Sequence, residues 1–233
     1  MSSLFPKALG PLLAALLLAV ASPSPAQQAP PTVVEGSTTQ QAIATVLFGP
    51  GRKTGPEATL PFHRDPAIRR QAEAATVQQV RATNEAAGEQ LSQLFASRDV
   101  LAAWGQAMQA YHLRLDNVAD ALTANWLVLY LSANQLADTP PATQVAALGR
   151  QVRRVCALPG LAAKLKTSAQ RQQLADYLHL QSLLLNQAQT NAEATHDASA
   201  STTLAERARQ IAQHNMSFDP TTVVLTEKGL VRK

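Results

Sequence analysis

The sequence predicts an all-α protein, a bundle of about six helices that ends in a short extended segment. Alanine, leucine and glutamine, which all favour helices, supply 97 of the 233 residues. Only 4% of the residues are aromatic, which argues against an all-β sandwich. Apolar residues after position 65 recur every three or four residues, the period of one helix face. A single cysteine excludes a disulfide scaffold.

The first 26 residues have the pattern of a secretory signal peptide. Lys7 supplies the positive charge, and Leu12 to Val20 form an apolar run that is too short for a bilayer, which needs about 20 residues. Small residues allow cleavage after Ala26, with Ala21 as a second exit. We therefore expect an exported chain, periplasmic or secreted, with no transmembrane segment after cleavage, because no later apolar run exceeds six residues.

Residues 27–64 differ in composition from the rest of the chain. They contain five prolines and four glycines, a density that interrupts regular helices. A short apolar stretch at 43–48 is compatible with one strand or one helical turn on the body of the protein. We interpret most of this segment as a flexible arm, followed by one helical domain over residues 65–233.

Three helices are predicted in the first half of the domain. Asp65, followed by proline, has the form of an N-cap, and the helix that it opens continues to about Ser97. A second helix begins around Asp99, and Asp116 caps a third. The third helix is apolar on every side over 127–131, which places it at the centre of the bundle.

Three further helices and one strand complete the prediction. The fourth helix follows the prolines at 139–141 and ends before the Pro-Gly pair at 159–160. The fifth spans about 168–191, and Thr203 or a neighbour caps the sixth. The β-branched run at 221–225 is typical of one extended strand.

Charge gives the first candidate site. Without Lys7 the exported chain has 19 basic and 16 acidic residues, a net charge of +3 that does not by itself indicate a nucleic-acid partner. No acidic residue occurs between Asp138 and Asp176, and helical spacing turns the arginines of the fourth helix toward water. The basic residues of this interval, which we call the basic face, are Arg150, Arg153, Arg154, Lys164, Lys166 and Arg171.

Such a face could contact an anionic envelope surface, such as lipid headgroups or a lipopolysaccharide phosphate, or an acidic protein partner. A solvated face without a dedicated partner has the same charge pattern. The specific partner stays open. On this interpretation the protein is a binding or structural module without enzymatic activity.

The alternative is a hydrolase of envelope material with a polar site between residues 111 and 120. Its candidate catalytic residues are Tyr111, His112, Asp116 and Asp120, since converging carboxylate and imidazole groups perform acid–base chemistry. The two aspartates also stand where anionic side chains cap and stabilise a helix end. Capping and bracing between helices is therefore the competing interpretation.

The sequence predicts no metal and no cofactor. The five histidines stand at least 17 residues apart, so no helical His-x-x-x-His pair exists. Asp176 and His179 have the spacing of a hydrogen-bonded pair on a helix surface. Cys156 lies at the edge of an apolar helix face, where we expect an inert small hydrophobe.

Two stretches resemble a family of exported bacterial proteins that contain a domain of unknown function. They are 115–121, and 218–220 together with 225–226 and 229–230. The resemblance covers roughly residues 65–233. It implies a secreted helical domain and no particular activity.

Overall fold

A computed structural model describes residues 37–49, 55–216 and 218–233. The predicted fold class is confirmed, since 72% of these residues are helical and the described part of the chain has a single small sheet at its C-terminal end. The helices are α1 Ser37–Phe48, α2 Pro66–Arg81, α3 Glu85–Ser97, α4 Val100–Met108, α5 Val118–Ala133, α6 Ala142–Cys156, α7 Pro159–Lys164, α8 Ser168–Ala194 and α9 Ala198–Met216. The strands are β1 Val223–Thr226 and β2 Gly229–Arg232. No helix among the described residues has both the length and the apolar character that a membrane crossing requires.

Helix α5 forms the centre of the bundle, as its apolar sequence predicts. All of its residues are buried, and it packs against α6, α8 and α9. Its polar residues bond within the protein: the Thr123 hydroxyl donates to the Ala119 carbonyl, and the Asn125 amide donates to Ser182.

The predicted helix from 65 to 97 is wrong as a single element. Asp65 does cap α2, by accepting from the Ala67 amide, but the chain breaks before Asn84. The Asn84 side chain accepts from the Ala87 amide and so starts α3. An internal asparagine offers the backbone this alternative bond, which ends one helix and caps the next.

Two other caps differ from the prediction, while Asp99 caps α4 as expected. The N-cap of α5 is Asn117 rather than Asp116. Helix α9 begins at Ala198 instead of near Thr203, because the Asp197 carboxylate accepts from the Ala200 amide and turns the expected loop into a first helical turn.

The predicted single strand is half of a β-hairpin. β1 pairs with β2 in antiparallel register, with Leu225 opposite Leu230. The outer edge of β2 is covered by α6, whose Gln151 side chain accepts from the Leu230 amide at 2.7 Å and donates to its carbonyl at 3.0 Å. The Gln151 amide thus makes the two backbone hydrogen bonds that a further neighbouring strand would otherwise make with Leu230.

The apolar stretch at 43–48 is helical, one of the two alternatives that the sequence left open for it within the expected arm over 27–64. Helix α1 inserts Ile43 and Leu47 into the core, and the Phe48 ring packs edge-on against Phe218 at 5.4 Å. The burial of these apolar side chains offsets the conformational entropy that the segment loses when it folds onto the core. Residues 27–36 and 50–54 lie outside the described residues, as does the predicted signal peptide.

Candidate functional site

One segment crosses the basic face and determines its structure. Residues 55–65, which we call the strap, run across the ends of α5, α6 and α8. The Ala58 amide donates to the Arg153 carbonyl at 3.0 Å, and the Phe62 amide donates to the Asp116 carbonyl at 3.0 Å. The Phe62 side chain is buried. The strap is therefore fixed by both backbone bonds and a core contact.

The strap brings a carboxylate to the arginines of α6. Glu57 binds Arg153, whose Nε lies 2.8 Å from Oε2, and Arg154, whose Nη1 lies 3.5 Å from Oε1. The Arg154 side chain is only 11% exposed. The prediction that Arg150, Arg153 and Arg154 face water together is thus wrong for Arg154, because Glu57 and the strap cover it.

Arg171, which is partly exposed, also holds the strap. Its Nε donates to the Leu165 carbonyl at 2.8 Å, and its Nη1 donates to the Pro61 carbonyl at 3.0 Å. Three of the six basic-face residues are therefore engaged with the chain itself, one of them with both the strap and the carboxyl end of α7.

The other three basic-face residues are exposed. Arg150, Lys164 and Lys166 project into solvent, and no carboxylate among the described residues pairs with them. We call these three residues the free cations. They differ from the remaining basic-face cations, which bind groups of the chain itself.

The carboxylates near residue 120 hold a turn together. Asp120 Oδ2 accepts from the Arg114 amide at 3.0 Å and from Asn117 Nδ2 at 2.7 Å. Asp116 receives two bonds from the Arg114 guanidinium. The two aspartates therefore brace the turn before α5, while the cap itself is Asn117.

The two other residues of the alternative site point to different partners. The Tyr111 ring is buried, its hydroxyl lies 3.5 Å from the Pro140 carbonyl, and burial raises its pKa to about 12. His112 is exposed and has a left-handed backbone with φ of 57°. The described hydrogen bonds join none of the four candidate residues to another of the four, so the hydrolase alternative gains no support from the geometry.

A buried polar cluster was missed by the sequence analysis. Asp176 and His179 are interior residues of α8, so the predicted surface pair is wrong. His179 Nδ1 accepts from Trp104 Nε1 at 3.0 Å, and Gln172 donates to Asp176 Oδ2 at 3.0 Å. The sequence did contain a signal for this burial, because His179 directly follows Leu178, which belongs to the apolar stripe of α8 that must face the core.

Burial shifts both titrating groups of this cluster toward their neutral forms. Desolvation lowers the pKa of His179 to about 3, with a smaller contribution from the charge of Arg64. Desolvation raises the pKa of Asp176 above its ordinary value, against the opposing hydrogen bond from Gln172. The cluster is enclosed between α8, α4 and the start of α2, and it provides packing specificity rather than a surface for chemistry.

The inert interpretation of Cys156 fits its surroundings. The thiol is fully buried, and burial raises its pKa to about 12, which suppresses the reactive thiolate. Among the described residues, no group of three histidine, cysteine, aspartate or glutamate side chains has the arrangement of a metal site. A shallow depression lies elsewhere, between α5 and α8 near Ser132 and Glu193.

No family model matches the chain, and no curated protein or solved structure shows detectable similarity to it.

Proposed function

We propose that the protein is an exported helical binding module that contacts an anionic envelope surface through its free cations. The observation that carries this proposal is the exposure of Arg150, Lys164 and Lys166 without carboxylate partners among the described residues. The signal-peptide pattern of residues 1–26 supports export.

The expected contact is weak and depends on salt. A lysine or arginine near an anionic membrane contributes about 1 kcal/mol, so three cations give about 3 kcal/mol, an affinity in the millimolar range. Salt reduces this attraction, because the screening length falls from ~30 Å at ~0.01 M to ~3 Å at ~1 M. An anionic surface offers many such contacts at once, which a single soluble acidic group does not.

Sedimentation with phospholipid vesicles tests the proposal. We expect the protein to pellet with phosphatidylglycerol vesicles at low salt, and to stay in solution at ~1 M salt or with phosphatidylcholine alone. The triple variant Arg150→Gln, Lys164→Gln, Lys166→Gln should lose most of this binding.

The matched control removes three exposed cations elsewhere, through Arg70→Gln, Lys228→Gln and Lys233→Gln. It should pellet nearly as well as the wild type. Equal loss in both triple variants would attribute binding to net charge and contradict a dedicated surface. Failure of the wild type to pellet at low salt would favour an acidic protein partner over a membrane.

A further inference from the structure

Two guanidinium groups on α6 share a single carboxylate. Arg153 and Arg154 both bind Glu57, so two positive charges face one negative charge. Burial lowers the pKa of Arg154 against the opposing charge of Glu57, and the charges of Arg150 and Arg153 act in the same direction as burial. Arg154 Nε is buried and has no hydrogen-bond partner among the described residues. The pair therefore retains both excess charge and an unused donor.

Glu57 is held on α6 through its side chain, by ion pairs with Arg153 and Arg154. Its side chain is 38% exposed, so solvent reaches the carboxylate, whereas the Arg154 side chain beneath it is only 11% exposed. Gly55 precedes it with φ of 143°, and a Cβ at that position would meet only Arg154 Cδ, at 3.9 Å. By contrast, the Ala58 and Phe62 amides hold the following residues through backbone bonds. The carboxylate can thus swing out while the strap stays in place.

We propose that Arg153 and Arg154 form a binding site for a phosphomonoester group, which Glu57 occupies as an internal substitute. A phosphomonoester carries nearly two negative charges and three acceptor oxygens, which match two guanidinium groups better than one carboxylate does. Arginine forks bind phosphate in a bidentate manner. The inference goes beyond the proposed function, because it places an anion at Arg153 and Arg154 rather than at the free cations, and it rests on that function only for the anionic class of partner.

Titration of inorganic phosphate into the Glu57→Gln variant tests the site. Glutamine keeps the size of the side chain but removes the competing charge, so phosphate should bind Glu57→Gln about tenfold more tightly than the wild type. The control Glu85→Gln removes an exposed carboxylate from α3 and should bind phosphate as the wild type does.

Two further measurements test whether phosphate binds at Arg153 and Arg154 rather than elsewhere on the protein. The arginine side-chain Nε–H signals of residues 153 and 154 should shift in NMR spectra during the titration. Adding Arg153→Gln and Arg154→Gln to the Glu57→Gln variant should abolish binding while the circular dichroism spectrum stays helical. Equal phosphate affinity in Glu57→Gln and wild type, or no measurable binding by either, would overturn the inference.

Vesicles identify the source of the phosphate group. Preference of Glu57→Gln for phosphatidic acid, a monoester, over phosphatidylglycerol, a diester, would support the site with a lipid headgroup as its ligand. Tight binding of free phosphate without this preference would support the site with a soluble ligand. Failure of the proposed function appears separately, as loss of wild-type pelleting, and leaves the phosphate titration interpretable.

Discussion

His179 has no exposed surface, yet it carries a titratable ring in the core. Its Nδ1 must remain unprotonated to accept the Trp104 indole bond. Burial lowers its pKa from 6.5 to about 3, so below pH 6.5 the unfolded chain binds a proton that the folded chain does not. This contribution to stability is present at neutral pH and is lost as the pH falls from 6.5 toward 3.

We predict that His179→Ala lowers the free energy of unfolding by about 3 kcal/mol at pH 7, through the lost acceptor and the cavity. The difference between wild type and variant should shrink by ~1.4 kcal/mol per pH unit below pH 6.5, because alanine takes up no proton on unfolding. Urea denaturation at pH 7, 6 and 5 measures both quantities.

The matched control is His214→Ala, which removes an exposed histidine from α9. Its effect should stay within ~0.5 kcal/mol. A His179→Ala difference that does not change between pH 7 and 5 would show that this ring titrates normally in the folded protein.

Asp176, on the same helix as His179, has the opposite effect on the way that folding stability depends on pH. Its pKa is raised by burial, so the folded state holds its proton more tightly than the unfolded state. Ionisation of this carboxyl therefore destabilises the fold as the pH rises through its titration. Together the two residues narrow the pH range of greatest stability from both sides.

Among the elements, the β-hairpin depends on a single side chain of α6. Gln151 is 1% exposed and satisfies both backbone groups of Leu230. Gly229 has φ of 88°, and a Cβ there would lie 2.2 Å from Gln151 Oε1. The glycine therefore permits both the turn and the close approach of the glutamine.

We predict that Gln151→Leu destabilises the protein by about 2–4 kcal/mol, since it leaves a buried amide and a buried carbonyl of Leu230 without partners. The control Gln213→Leu, on the exposed side of α9, should change stability by less than ~0.5 kcal/mol. Guanidinium denaturation measures the free energy of unfolding of both variants. Similar losses at the two positions would show that the two hydrogen bonds from Gln151 to the Leu230 backbone contribute nothing specific to stability.

Some features of these elements could be predicted from the sequence and others could not. Local signals gave the Asp65 and Asp99 caps and the buried character of α5, because those features depend on residues within a few positions. The Asn84 break was also local, but a continuous apolar stripe concealed it. Gln151 and Leu230 are 79 residues apart, and no local pattern indicates such a pairing.

The candidate site was predicted in part for the same reason. Composition identified all six cations of the basic face, and three of them are exposed. Glu57 lies 96 residues before Arg153, in a segment whose prolines indicated an arm. Only the path of the strap shows that this carboxylate pairs with Arg153 and Arg154 of α6.

At the scale of the whole molecule, the basic face divides into two functional groups. Arg153, Arg154 and Arg171 fasten the strap to the ends of the helices, and the free cations point outward. The first group contributes to the fold through the strap, and the second is exposed to a partner without any rearrangement of the strap or of Glu57. The six cations of this acid-free interval thus have two roles: three hold the strap, and three are exposed to solvent.

Thermal unfolding of two triple variants tests this division most directly. Arg153→Gln, Arg154→Gln and Arg171→Gln together should cost about 2 kcal/mol and lower the Tm by roughly 4–8 °C, because charge-assisted bonds to the strap are lost. Changing Arg150, Lys164 and Lys166 to glutamine should leave the Tm within about 2 °C of wild type. Equal Tm changes in the two variants would contradict the account.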